Sequence, residues 1–319
     1  MKPKPRHIDP PRHGRPAHDG PTCALRTENR KGFSLTEVLI AAGILVVGFL
    51  LICCTLPVGI HLTAKGTERA IGAVVAEEAF AKIRLHGIRP VEYWPADVAQ
   101  GNVIVDPNVM HVDYWDVAGM PLVEDDFAYP SADIYPEIKK YHWSALLRYN
   151  NADLGDDSFQ VTVFVTRITG LGLQYPRIDR EGLLRDAFNR PVTAPFPRPV
   201  LLSIEPYNPA AGLITDEIII SGGALNDPDR RFMAVTDESV LLDDRTGQIM
   251  RVIERRKLSP VILEPPVLVL DGKVYNSDLD GDGEVDPNRY AWVIPPAVGG
   301  GRYPGIAVYQ RVIKLNDTP

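Results

Sequence analysis

Cysteine is nearly missing from this chain: three occur in 319 residues, and none lies beyond Cys54. That excludes a disulfide framework for everything after residue 54. Histidine is sparse as well. Seven are present, and the four after residue 60 (His61, His86, His111, His142) stand alone, which gives no zinc spacing and no general-base constellation. Each reads as a surface or packing residue. Neither a phosphate-cradling glycine loop nor a nucleophile elbow occurs, and no internal repeat is visible. The absences together argue against an enzyme. Long hydrophobic runs are scarce too, with one exception: 23 uncharged residues from Val38 to Ile60, enough to span a bilayer as a helix.

Charge divides the chain at that run. Residues 1–32 carry eight Lys/Arg against three Asp/Glu, while the remainder carries 26 against 38, a net of −12. A basic tip before an apolar span places the N-terminus in the cytoplasm and exports the acidic bulk. The basic tip, with six prolines in residues 1–31, has no apolar periodicity and reads as a solvated targeting leader. An acidic exported part gives no support to nucleic-acid binding.

From Phe33 to about His86 the pattern is helical. It is apolar all round at first, then amphipathic, with Ile71, Val74, Val75, Ala79 and Ile83 on one face and Glu68, Arg69, Glu77, Lys82 and Arg84 on the others. Such a helix measures roughly 80 Å at the α-helical rise. Pro57 and Gly59 are expected to kink it, and Gly87 to end it. Residues 88–157 show weak periodicity. Residues 158–169 alternate and predict a strand. Residues 176–212 hold seven prolines and predict a long loop. Further strands are expected at 217–221, 232–236, 239–242, 248–254, 267–270, 273–275, 290–294 and 305–315. Turns are placed at Asp243-Asp244-Arg245-Thr246-Gly247 and Asp271-Gly272. The expected fold is α+β: a long N-terminal helix, transmembrane then amphipathic, packed on a mostly antiparallel sheet. Its parts are a leader (1–32), a membrane-spanning half-helix (33–60), an amphipathic half-helix (61–86) and a sheet-rich head (87–319).

One carboxylate stands at the edge of the apolar run, in Arg30-Lys31-Gly32-Phe33-Ser34-Leu35-Thr36-Glu37-Val38. A membrane-embedded acid costs ~2.5–3.5 kcal/mol on insertion scales, so it calls for a partner. This stretch resembles the processing site of type IV prepilins and type II secretion pseudopilins: basic residues, Gly32, Phe33, small polar residues, Glu37 fifth after the glycine, then an apolar helix. The resemblance implies cleavage between Gly32 and Phe33 by a membrane-embedded prepilin peptidase, followed by methylation of the Phe33 amine. It implies that Glu37 pairs with the Phe33 amine of a neighbouring subunit and sets the register of a filament. The implied partners are the peptidase, other pilin or pseudopilin subunits, an inner-membrane assembly platform and lipid. The bland alternative for Glu37 is an acid favoured by the helix dipole.

The leader is longer than is usual in that family, Pro57 lies close to the end of the span, and the paired head cysteines of many type IV pilins are missing. The missing pair favours a pseudopilin, and the large head a minor component. A type IV pilus subunit for adhesion or motility is the alternative, and a signal-anchored exported binding protein or enzyme is the reading from a different class.

Residues 276–289 carry one more pattern. Asp278, Asp280, Asp282, Glu284 and Asp286 alternate like the front half of an EF-hand loop, with Gly283 in the sixth place. The twelfth place is Arg289 instead of the bidentate acid. Two readings stand: a calcium (Ca2+) site completed by other ligands, and a polar, glycine-rich surface turn. Arg251, Arg255, Arg256 and Lys257 form a small basic cluster, read as a protein contact or a guard on a strand edge.

Overall fold

The computed structural model describes residues 32–89, 111–120, 122–131, 139–149, 158–170, 172–179, 182–183, 192–207, 214–223, 235–256, 267–275, 289–298 and 302–314. It divides into two compact units, Met1–Ile60 and His61–Pro319.

Helix α1 runs from Leu35 to His86 without a break at Pro57. Its first part, in the first unit, is exposed on all sides; the helix is long and apolar enough to cross a membrane as a span or a signal anchor. Within the second unit α1 is amphipathic. Gly72, Val75, Ala76, Ala79, Phe80 and Ile83 are buried along one stripe, whereas Val74, expected on that face, is 53% exposed. Val74 sits one residue, or about 100°, off a stripe that runs through 72, 75–76, 79–80 and 83. The helix stops as expected. Gly87 takes φ +78°, and its N–H donates to Ile83 O at 2.9 Å, a left-handed cap that a side chain would strain.

The chain continues through β1 (His111–Asp113), a single turn α2 (Tyr114–Val117), β2 (Ala128–Tyr129), β3 (Tyr141–Tyr149) and β4 (Ser158–Arg167). Two small ladders follow, β5 (Tyr175–Pro176) with β8 (Thr193–Ala194) and β6 (Ile178–Asp179) with β7 (Gly182–Leu183). Then come β9 (Val200–Pro206), β10 (Ile214–Gly223), β11 (Val240–Asp243), β12 (Ile249–Arg256), β13 (Val267–Tyr275), β14 (Arg289–Val293) and β15 (Gly305–Lys314).

These strands make two larger structures where one sheet was expected. The first is an antiparallel sheet in the order β1-β3-β4-β15, with β2 also on β3. The second is a closed, fully antiparallel six-stranded barrel, β10-β13-β12-β11-β14-β9. The α+β class therefore holds. Barrel strands alternate as a filled barrel requires: Val200, Leu202 and Ile204, Met250 and Val252, Leu268 and Leu270, and Ala291 and Val293 point into one core.

The central strands of the sheet are covered on both faces. On one side Trp143, Ala145, Leu147, Val161, Val163 and Val165 pack against the α1 stripe. On the other, Leu146 and Phe164 pack against Leu242 and Ile294 of the barrel. Polar contacts pin the same junction. Arg148 donates to Thr246 O, and Gln310 Nε2 donates to Gly247 O at 2.8 Å, both on the β11–β12 turn. Ion pairs tie α1 to the sheet: Glu68 with Arg167 and Glu77 with Arg311.

Three local expectations are overturned. Asp271-Gly272 is no hairpin turn. The β13 backbone runs straight through it as a bulge, where Thr215 pairs with Val274 but Glu217 pairs with Val269. Asp271 Oδ1 accepts from Arg251 N at 2.6 Å, so the side chain that usually tightens a turn satisfies the neighbouring strand instead. Within the proline-rich 176–212 segment, β9 is a full barrel strand. Pro206, which lacks a donor, stands at its last position, where the ladder needs none. In the strand expected at 232–236, the described residues Val235 and Thr236 belong instead to the turn before β11, closed by Ser239 N on Thr236 O at 3.0 Å. The turn at residues 243–247 forms as expected: Asp243 Oδ1 accepts from Arg245 N and Thr246 N at 3.0 and 2.8 Å, and Gly247 takes φ +69°.

Candidate functional site

Gly32, Phe33 and Glu37 come together at the start of α1. Ser34 is the residue before the first helical turn. Its Oγ accepts from Thr36 N at 3.3 Å, and its carbonyl accepts from Val38 N at 3.2 Å. Glu37 reaches back and accepts from Ser34 N through Oε2 at 3.1 Å. This is the glutamate half of a capping box, with the Ser34 hydroxyl taking the second helical N–H in place of the third, so side chains satisfy orphan donors at the helix start. Gly32 and Phe33 lie just ahead of it in non-helical backbone. Among the described residues nothing approaches within 4 Å of a Cβ placed on Gly32, and Phe33 is 87% exposed. No described residue covers the Gly32–Phe33 peptide bond, and the helix begins only two residues later.

The arrangement gives Glu37 two compatible roles. Its carboxylate lies in the first turn, where the helix dipole favours negative charge. It also holds the N–H next to the Phe33 amide, where hydrolysis after Gly32 would create an ammonium. Oε1 makes no hydrogen bond among the described residues and is available to a cation. The cap on Ser34 escaped the sequence reading, although Ser34-Leu35-Thr36-Glu37 is the S-x-x-E signature of a helix start.

Beyond the cap, every residue from 33 to 60 except Gly48 is exposed. An all-round apolar helix surface of this length is covered by lipid or by other helices in any aqueous setting.

Asp278, Asp280, Asp282, Glu284 and Asp286 lie outside the described residues, as does Lys257. Among the described residues no cluster of three or more His, Cys, Asp or Glu is placed to hold a metal ion. The edge-guard reading of the basic cluster does not hold, because β12 lies inside a closed barrel and has no free edge. Arg255 pairs with Asp237 at 3.1 Å and Arg256 with Glu217 at 2.7 Å. The adjacent residues Asp125 and Asp126 are also engaged, the first with Lys139 at 3.3 Å, the second accepting from Val123 N at 3.0 Å.

Two histidines are core residues. His111 is 1% exposed, and neither ring nitrogen has a hydrogen-bond partner among the described residues. Burial first, and Arg148 second, push its pKa down to about 3, against an opposing pull from Asp243. His142 is driven down to about 4 by burial and then by Lys139. Both are neutral in the folded unit and titrate near 6.5 when unfolded. Between those values the unfolded chain binds more protons, so stability is full above about pH 6.5 and falls as the pH drops toward the folded values. The melting temperature of the second unit is expected to fall between about pH 7 and 5, before carboxylates protonate, and the fall to shrink in His111→Phe. A flat profile over that window would contradict the assignment.

No family model, curated protein or solved structure matches this chain.

Proposed function

We propose that this chain is a pilin-like, non-enzymatic filament subunit, cut between Gly32 and Phe33 and built into a type II secretion pseudopilus as a minor component. The observation that carries the reading is the conjunction at the start of α1. A Gly32–Phe33 bond that no described residue covers and an acid five residues after Gly32 stand at the head of α1, which begins at Leu35 and is apolar and exposed on all sides through its first part. Each part has a use in such a subunit. Gly32 lets an extended backbone enter a peptidase site. The new Phe33 ammonium and Glu37 supply opposite charges one helical turn apart, which pair between neighbouring copies in low dielectric and fix their register. Residues 33–60 of many copies then cover one another's apolar surface.

In this reading the protein sits in the inner membrane as a single span before assembly, N-terminus in the cytoplasm and residues 87–319 exported. Its partners are a prepilin peptidase, other pilin or pseudopilin subunits and the assembly platform. The lack of any cysteine after Cys54 favours the secretion pseudopilus over a type IV pilus built on a disulfide-bonded head. Replacing Gly32 tests the reading. When the chain is co-expressed with a prepilin peptidase, Gly32→Leu is expected to leave it at its full 35.2 kDa, while the wild type shortens. Equal processing of both would remove the proposal.

A further inference from the structure

Between α1 and the barrel, inside the second unit, lies a cavity of about 320 Å³. Six cations line it (Lys65, Arg69, Arg167, Arg251, Arg255 and Arg302) against three carboxylates, Glu68, Asp237 and Glu238. We propose that this cavity receives the acidic segment 278–286 of a second copy of the chain, making a head-to-tail contact between heads.

The charge count leaves a positive surplus in a chain whose residues after 32 are strongly acidic. Internal pairing consumes only part of it. Glu68 takes both Arg167 and Arg302, Glu238 takes Lys65 at 2.6 Å, and Asp237 takes Arg255. Arg69 and Arg251 make no side-chain hydrogen bond or ion pair among the described residues, and both are exposed. A cleft lined by one sign of charge between low-dielectric walls concentrates its field and attracts the opposite charge. Its wall is also shaped: Glu238 holds φ +70°, a left-handed conformation uncommon for a side chain of this kind, in the turn that leads into β11.

The acidic segment is the complementary charge, with five acids in nine residues from Asp278 to Asp286. The strands that flank it end away from the cavity. The cavity stands at the barrel end where Arg251 pairs with Val240, the first residue of β11, and where Arg256 pairs with Val267, the first of β13. The acidic segment joins Tyr275, the last residue of β13, to Arg289, the first of β14. Those two pair with Ile214 and Ile204 at the opposite end. The cavity of one copy and the acidic segment of the next are different surfaces, so the contact is heterologous and extends without closing. This inference deepens the filament reading and rests on it for its setting, but it needs neither cleavage nor Glu37. In it the acids act as a ligand for arginine, in place of a calcium shell.

Two differently tagged full-length copies in detergent, with chelator and low salt, test it by co-purification. Arg69→Glu/Arg251→Glu reverses the cavity, and Asp280→Lys/Asp282→Lys reverses the segment. Each variant is expected to lose about tenfold or more in association with itself, since like charges now meet. Mixing the two variants is expected to restore it, because each then offers the other a matched surface; that recovery also shows that both fold. Wild-type association should weaken as salt is raised. Association unchanged in either variant, or absent in wild type, would overturn the contact. So would failure of the mixed pair when both variants keep wild-type circular dichroism. An uncleaved Gly32–Phe33 bond in cells would remove the filament reading while leaving this result readable.

Discussion

Phe80→Ala is expected to destabilise the unit formed by residues 61–319 by about 3–5 kcal/mol, the range for truncating a buried phenylalanine. Phe80 is 2% exposed at the centre of the stripe that α1 lays on the sheet, and its ring carries the Arg311 guanidinium 4.8 Å from the centroid. Domains of this size are stable by roughly 5–15 kcal/mol, so the loss removes a large share of the total. The measurement is thermal or urea unfolding of the full chain in micelles, followed by tryptophan fluorescence, since Trp143 lies in the same cluster. Arg311→Ala is the control. The Glu77–Arg311 side chains are 61% and 41% exposed, and such pairs contribute about 1 kcal/mol or less. If the two substitutions cost the same, hydrophobic packing is not what fastens α1 to the sheet.

The second large effect concerns Glu37. Both Glu37→Leu and Glu37→Gln are expected to be cut after Gly32 and then to fail to enter filaments. The pair of substitutions separates two roles. A capping box accepts Gln in place of Glu, so Glu37→Gln preserves the bond to Ser34 N (3.1 Å in wild type) and removes only the charge. Losing the cap altogether costs about 1 kcal/mol, too little to prevent assembly. An unpaired ammonium or carboxylate in low dielectric costs several kcal/mol, which is enough. Filaments counted by microscopy, or subunit recovered in sheared fractions, give the readout. Normal incorporation of Glu37→Gln would reduce Glu37 to a helix cap.

The sequence was most legible where one signal acted alone. Helix α1, its stop at Gly87, strand β4 and the Asp243–Gly247 turn all follow from local chemistry, and the structure places them within a residue or two. It was least legible where tertiary packing decides. Strand β3 is buried on six consecutive positions because α1 covers one face and the barrel the other. A strand enclosed in this way loses the alternation that marks a half-buried one, so His142 to Leu147 showed no period. Strand β9 was hidden by its prolines, which stand only at its ends or beyond. The Asp271-Gly272 pair carried a strong turn signal that strand pairing on both sides converts into a bulge. Barrel closure depends on which strands pair, and no single segment encodes that. At the helix start the residues themselves were readable.

The most direct test of the account is the N-terminal residue and intact mass of the protein recovered from membranes that contain a prepilin peptidase. The account predicts a chain beginning with N-methyl-Phe33 and lacking residues 1–32. A chain still beginning at Met1, or cut anywhere other than between Gly32 and Phe33, would contradict it.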